Sequence, residues 1–200
     1  MVNFTFPVET KITYEQRKRL LRQEPRLIWL TGLSGAGKTT LALQLEQYLF
    51  QRGYKAYVLD GDNIRNGLNS DLRFSKEDRM ENLRRVSEVA KLFLDAGLIV
   101  ICAFISPYIE DRALIRRIVG EPRFIEVFVN CSLAVCEQRD VKGLYEKARL
   151  GLIPEFTGIS APYEEPLHPD VEVCTAEESI EESLQKLTAY IEPKVCMWFE

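Results

Sequence analysis

The sequence predicts a three-layer α/β fold: a five-stranded parallel sheet with helices on both faces. Three observations carry that prediction. Short apolar runs alternate with longer helical patterns, as in successive βαβ units. The run 98–105 is apolar nearly throughout, as a central parallel strand buried on both faces must be. Finally, the apolar run Leu27-Ile28-Trp29-Leu30 feeds a glycine-rich loop that opens a helix with Leu41, Ala42, Leu45 and Leu49 at helical spacing.

Residues 1–25 are polar, end in Arg22-Gln23-Glu24-Pro25 and read as an N-terminal extension, with a short basic helix over 14–22. The domain follows over 26–192, and 193–200 form a tail. Within the domain, 27–31 is a strand and 38–52 a helix closed by Gly53. A strand over 56–60 leads to Asp60-Gly61-Asp62-Asn63, which is turn chemistry by composition. Ser75 suits the N-cap of a helix over 78–96, which Gly97 stops. Strand 98–105, helix 112–119, strand 124–130 and a short helix over 133–139 come next. Glycines and prolines then crowd 140–170, and a loop that long in a compact domain is functional more often than not. A last strand over 171–174 and a helix over 179–191 close the domain. Ligands of such sheets bind at the carboxyl ends of the strands, where Gly32, Asp60 and Ser106 fall.

Two hundred residues suit one domain with a sizeable core. The net charge of −4 argues against broad nucleic-acid binding, so any basic site is local. No apolar run reaches the roughly 20 residues that cross a bilayer, and the first residues lack a basic-then-apolar signal. The five cysteines, Cys102, Cys131, Cys136, Cys174 and Cys196, form no C-x-x-C pair, and His168 is the sole histidine, which speaks against zinc. They read as buried thiols in a reducing compartment. The expectation is a soluble cytoplasmic protein with no nucleic-acid or membrane partner.

Gly32-Leu33-Ser34-Gly35-Ala36-Gly37-Lys38-Thr39 fits G-x-x-x-x-G-K-[ST], the phosphate-binding loop, in the strand–loop–helix setting the motif requires. Glycines let successive N–H groups point at phosphates, and the following helix adds the positive end of its dipole. Lys38 reaches the outer phosphates, and the Thr39 hydroxyl can ligate magnesium.

Asp60 and Asp62 arrive at the end of the second strand, beside this loop. Carboxylates there suit magnesium binding, directly or through water, and proton acceptance from an attacking hydroxyl. Arg65, Arg79 and Asn82 read as an anion- and hydroxyl-binding wall, or else as a solvated helix face; Phe74 is available to stack on a base. The segment from Arg139 to Arg149 suits a lid over phosphates that excludes water, or a charged surface helix.

Taken in order, these segments resemble adenylylsulfate kinase. The resemblance is carried by Trp29 to Thr39, Asp60-Gly61-Asp62-Asn63-Ile64-Arg65, Phe74-Ser75 to Arg85, and Ile105-Ser106-Pro107-Tyr108. It continues through Arg139-Asp140-Val141-Lys142-Gly143-Leu144-Tyr145, Phe156-Thr157-Gly158-Ile159 and Pro162-Tyr163-Glu164, covering about 27–175. It implies a P-loop NTPase fold with a lid over about 139–170, and magnesium- and ATP-dependent phosphorylation of the 3′-hydroxyl of adenosine 5′-phosphosulfate in sulfate activation. Gly32 to Thr39, with Thr40 and Arg139, would bind ATP, and Lys38 would act in catalysis. Asp60 and Asp62 would share magnesium positioning and proton acceptance, undivided, with Thr39 also on the metal. Asp62, Arg65, Phe74, Arg79, Asn82, Ile105, Ser106, Lys142, Gly143, Leu144 and Phe156 would hold adenylylsulfate, Phe156 stacking opposite Phe74 on its adenine. Ser106 matches a position assigned in the family as a phosphoserine intermediate; the alternative is a strand-end hydroxyl that orients the substrate loop, since in-line transfer needs no protein nucleophile. The family also implies a homodimer.

Arg73 departs from the family pattern, which has glycine there; a positive φ would cost Arg73 on the order of 1 kcal/mol. Trp198 and Phe199 in the tail would form an apolar patch that packs on the core or on a second subunit. Two rivals stand beside this reading. A kinase for an uncharged acceptor would not need Arg65, Arg79 and Asn82, and a non-catalytic nucleotide-binding module would not need the Asp60–Asp62 pair.

Overall fold

The computed structural model describes Phe6, Val8 and residues 10–197; the Trp198–Phe199 expectation lies outside them. The strands are β1 (Leu27–Thr31), β2 (Ala56–Asp60), β3 (Ile99–Ala103), β4 (Phe124–Asn130) and β5 (Val171–Cys174). All neighbours pair in parallel, in the order β2-β3-β1-β4-β5. The helices are α1 (Tyr14–Leu21), α2 (Lys38–Gln51), α3 (Gly61–Asn66), α4 (Lys76–Asp95), α5 (Ile109–Val119), α6 (Leu133–Arg139), α7 (Leu144–Arg149) and α8 (Ile180–Val195).

The two-residue period of the strands splits the core in two. Ile28, Leu30, Ile101, Val127 and Val173 face α2 and α8, whose Leu41, Leu45, Leu187 and Ile191 complete one cluster. Leu27, Trp29, Val100 and Cys102 face α4 and α5, with Leu83, Val86, Leu94 and Ile115 in the other. β1 and β3 are buried at every position, which is why 27–31 and 98–105 read as unbroken apolar runs.

Several elements differ from the sequence reading. The Asp60–Asn63 turn is the start of helix α3, because Asp60 Oδ1 accepts the Asp62 N–H at 3.0 Å and caps it. α4 begins at Lys76, with Ser75 as its N-cap. The loop over 140–170 contains α7, whose first N–H groups (Leu144, Tyr145, Glu146) all donate to the Asp140 carboxylate. α8 runs past 192 to Val195, with Pro193 in its last turn, because Val195 is fully buried.

The extension is anchored on the domain. Gln23 is fully buried; its Nε2 donates to the carbonyls of Lys55 (3.0 Å) and Gly97 (2.8 Å), and its Oε1 accepts from the Lys55 N–H (2.8 Å). Gln23 also bridges Cys196, so the end of the extension and the end of α8 lie side by side.

Candidate active site

The carboxyl ends of β1, β2, β3 and β5 open onto one cavity of about 1110 Å³. That volume exceeds the roughly 300–1,000 Å³ of a single small-molecule pocket and suits two substrates.

The loop after β1 forms one end. Gly32 has φ +153°, and a Cβ there would stand 2.5 Å from the Val129 carbonyl oxygen, so the close approach of loop to β4 requires glycine. Ser34, Gly35, Gly37, Lys38, Thr39 and Thr40 line the cavity; Gly32, Leu33 and the buried Ala36 do not. Gly32 and Leu33 act through their carbonyls, which accept from Lys38 Nζ at 2.9 and 2.7 Å. Burial pulls the Lys38 ammonium down to about 8. A cation so placed, at the N-terminus of α2, is stabilised by an arriving polyanion.

The second strand end continues the site. Thr39 Oγ1 donates to Asp60 Oδ2 at 2.8 Å, so a hydroxyl and a carboxylate converge on one point. The pair fits magnesium, which takes hard oxygen ligands. Asp62, on the first turn of α3, pairs through Oδ2 with Lys142 Nζ from the segment between α6 and α7. α3 then carries the wall away from the loop: Arg65, one turn on, lies 4.6 Å above the Phe74 ring.

Arg65, Phe74, Arg79 and Asn82 all line the cavity, so the helix face that carries Arg79 and Asn82 is a cavity wall and not a solvated face. Arg79 Nε donates to the Phe74 carbonyl (2.8 Å) and Nη2 to the Glu155 carbonyl (2.9 Å), tying α4 to the segment after α7. Burial, then the charge of Arg79, depresses the Arg65 guanidinium, and burial depresses Arg79. Two crowded cations facing a cavity favour an anion between them. Phe74 is 59 % exposed, whereas Phe156 is buried and meets Tyr145 edge-on at 5.0 Å. Arg73 does not adopt positive φ. Its N–H donates to Asp78 Oδ2 (2.8 Å) and its carbonyl accepts from Arg65 Nη1 (2.9 Å), so the strain considered for a glycine position is not incurred.

Ile105 and Ser106 line the cavity after β3. Ser106 is buried at φ +40°. Its Oγ accepts from Trp29 Nε1 at 3.0 Å and donates to Thr31 Oγ1 at 3.0 Å, so donor and acceptor are both committed. From the segment over 139–170, Arg139, Lys142, Leu144 and Phe156 line the cavity and Gly143 does not. Arg139 lies against the phosphate loop, with Nη2 donating to the Thr175 carbonyl (2.6 Å) and Nη1 reaching Gly35 O (3.4 Å).

Several residues were not singled out from the sequence. Thr175 lines the cavity and donates to the Ala36 carbonyl at 2.8 Å. Tyr145 donates to the Ser34 carbonyl at 2.9 Å. Arg112 is buried and donates to the carbonyls of Ser106 (2.8 Å) and Glu164 (2.7 Å), clasping two loops. Its ion pair with Glu126 (2.9 Å) holds it in place. Its signal in the sequence is a charge on the apolar face of α5, at helical spacing from Ile115 and Val119.

A phosphate loop at the edge of a parallel sheet, facing carboxylates and a cationic wall across one cavity, defines a P-loop kinase. The family model for adenylylsulphate kinase matches residues 24–174. A probable adenylyl-sulfate kinase of Halalkalibacterium halodurans is 54 % identical over 183 residues, 92 % of this chain and 91 % of that protein. An adenylyl-sulfate kinase of Geotalea daltonii is 57 % identical over 168 residues, 84 % of this chain and 83 % of that one. Among solved structures, the APS kinase CysC of Mycobacterium tuberculosis, in complex with AMPPNP and APS, superposes with a TM-score of 0.81 at 48 % identity, covering 84 % of this chain and 98 % of that one. The chain belongs to the adenylylsulphate kinase family.

Proposed function

We propose that this enzyme transfers the γ-phosphoryl group of ATP to the 3′-hydroxyl of adenylylsulfate, giving ADP and 3′-phosphoadenylylsulfate. The observation that carries the reading is the order of chemistry along one cavity: phosphate loop, then Asp60 and Asp62, then the cationic wall of Arg65 and Arg79 around Phe74. Family membership supports the same substrates.

Roles follow from contacts. The loop N–H groups and Lys38 take the ATP phosphates, with Lys38 exchanging two carbonyl partners for phosphate oxygens. Thr39 and Asp60 would hold magnesium, whose charge neutralises the phosphate oxygens when bound. Asp60 is thereby committed to the phosphate side, since its second oxygen caps α3. Asp62 is left to accept the 3′-hydroxyl proton, and its Lys142 partner supplies a cation at the point of transfer. Arg65, Arg79 and Asn82 hold the anionic part of adenylylsulfate, and Phe74 with Phe156 its base. The segment over 139–170 acts as a lid that excludes water. Ser106 orients the loop after β3 and takes no covalent step.

A homodimer is part of the proposal. Leu43 and Phe50, seven residues apart on one face of α2, are 52 % and 76 % exposed, which is surface a second copy would cover. Light scattering on the purified protein tests it. No helix among the described residues is long and apolar enough to cross a membrane. A cytoplasmic location is supported by five free cysteines, three of them buried.

Incubation with ATP, magnesium and adenylylsulfate tests the activity directly. Chromatography should show ADP and the 3′-phosphorylated product in equal amounts. A higher kcat/KM for a nucleoside monophosphate or a sugar acid would overturn the assignment.

A further inference from the structure

Asn69 is fully buried behind the acceptor wall, in the turn after α3. Its own N–H donates to the Ile64 carbonyl at 2.9 Å. Its side-chain Nδ2 donates to Asn82 Oδ1 at 2.9 Å and lies 3.5 Å from the Asn82 carbonyl oxygen. The two oxygens decide which end of the Asn69 amide faces α4, because an oxygen in that place would meet the backbone oxygen. The arrangement leaves Asn69 Oδ1 buried with no partner among the described residues. An unsatisfied buried acceptor is destabilising and rare, so the contact it accompanies stands out.

The consequence falls on Asn82, which is 3 % exposed and lines the cavity. Its Oδ1 is held by Asn69. Its Nδ2 has no hydrogen-bond partner among the described residues and is not sealed from the cavity. Arg79, three positions earlier on the same helix face, lines the same cavity and adds positive charge to that wall. We infer that Asn69 is a positioning residue that fixes the polarity of the Asn82 amide, so that Asn82 meets the acceptor substrate as a hydrogen-bond donor to an anionic oxygen. The inference rests on the reading of this wall as the adenylylsulfate site.

A double-mutant cycle tests it, with steady-state constants for adenylylsulfate and for ATP measured separately on the wild type, Asn69→Ala, Asn82→Ala and the double variant. Wild-type turnover of adenylylsulfate comes first; its absence refutes the substrate reading itself. Given that turnover, Asn69→Ala should raise KM for adenylylsulfate about threefold to tenfold, the worth of one neutral hydrogen bond, with KM for ATP unchanged. In the Asn82→Ala background the same substitution should change neither, because Asn69 acts through Asn82. Additive effects, or a rise in both KM values together, overturn the inference. Asn82→Asp extends the test should Asn69→Ala not fold. It keeps the bond from Asn69 and replaces the cavity-facing donor with an anionic oxygen, so KM for adenylylsulfate should rise well beyond that of Asn82→Ala; an equal or smaller rise overturns the donor assignment.

Discussion

Replacing Asp62 by Asn separates catalysis from folding. Asp62 stands on the first turn of α3, but the cap of that helix belongs to Asp60, so the substitution leaves the helix start intact. Its partner is Lys142, and the two side chains are 65 % and 55 % exposed. An ion pair that open to solvent contributes less than about 1 kcal/mol. For a protein of this size the melting temperature should therefore move by no more than about 2–4 °C. A proton acceptor in transfer contributes at least about a hundredfold in rate, or about 2.7 kcal/mol at the transition state. Unfolding cannot imitate that loss. A hundredfold fall in folded protein would need the whole stability, about 5–15 kcal/mol, and a further 2.7 or so to disappear. The assay is coupled ADP release for kcat, calorimetric titration of ATP for binding, and a thermal melt. The expected result is kcat down at least about a hundredfold, ATP affinity within about threefold of wild type, since one exposed pair is worth little, and a nearly unchanged melt. Turnover within about tenfold of wild type would remove Asp62 from the proton step.

Three further outcomes follow from the same geometry. Asp60→Asn weakens the oxygen pair formed with Thr39 Oγ1, so the magnesium concentration for half-maximal rate should rise; an unchanged magnesium dependence would move the metal elsewhere. Lys38, held near 8 by burial, is neutral in the free protein at higher pH and regains its charge against phosphates. Nucleotide binding should then take up a proton, and ADP affinity should fall about tenfold from pH 7 to pH 9. Between about 8 and the unfolded value the unfolded chain binds more protons, so this lysine makes the nucleotide-free protein more stable as pH rises; titration calorimetry in buffers of different ionisation enthalpy, with melts across that range, checks both signs. Ser106→Ala strips Trp29 Nε1 of its acceptor and should lower stability by about 1–3 kcal/mol, yet keep measurable turnover. Complete loss of turnover in a folded variant, or phosphate on Ser106 by mass spectrometry after incubation with ATP, would restore the covalent route.

How much was legible depended on whether a local signal has one structural meaning or two. The phosphate loop is written within eight successive residues, Gly32 to Thr39. The motif is legible there even though the reason for Gly32, the backbone of Val129 against it, lies far along the chain. β4, α6 and β5 were readable to the residue because apolar runs and helical spacing are local signals. Helix α3 was not, since Asp-Gly-Asp-Asn serves a turn or a helix start equally, and the side-chain cap from Asp60 decides between them. α7 was left open for a similar reason: the stretch from Arg139 to Arg149 reads as a lid or as a charged helix, and Asp140, collecting three N–H groups, starts the helix.

By itself the sequence determined the layers, the parallel sheet, the phosphate-loop motif and which residue types line the cavity. Only the tertiary structure decided what those residues touch. Asp60 meets Thr39 across 21 positions, Asp62 meets Lys142 across 80, and Trp29 meets Ser106 across 77. Side chains so far apart become neighbours through the strand order β2-β3-β1-β4-β5, which sets loops from distant parts of the chain on one edge of the sheet. Hydrogen bonds and charge contacts act over a few ångströms, so a pattern read along the chain can name the donors and acceptors but not pair them.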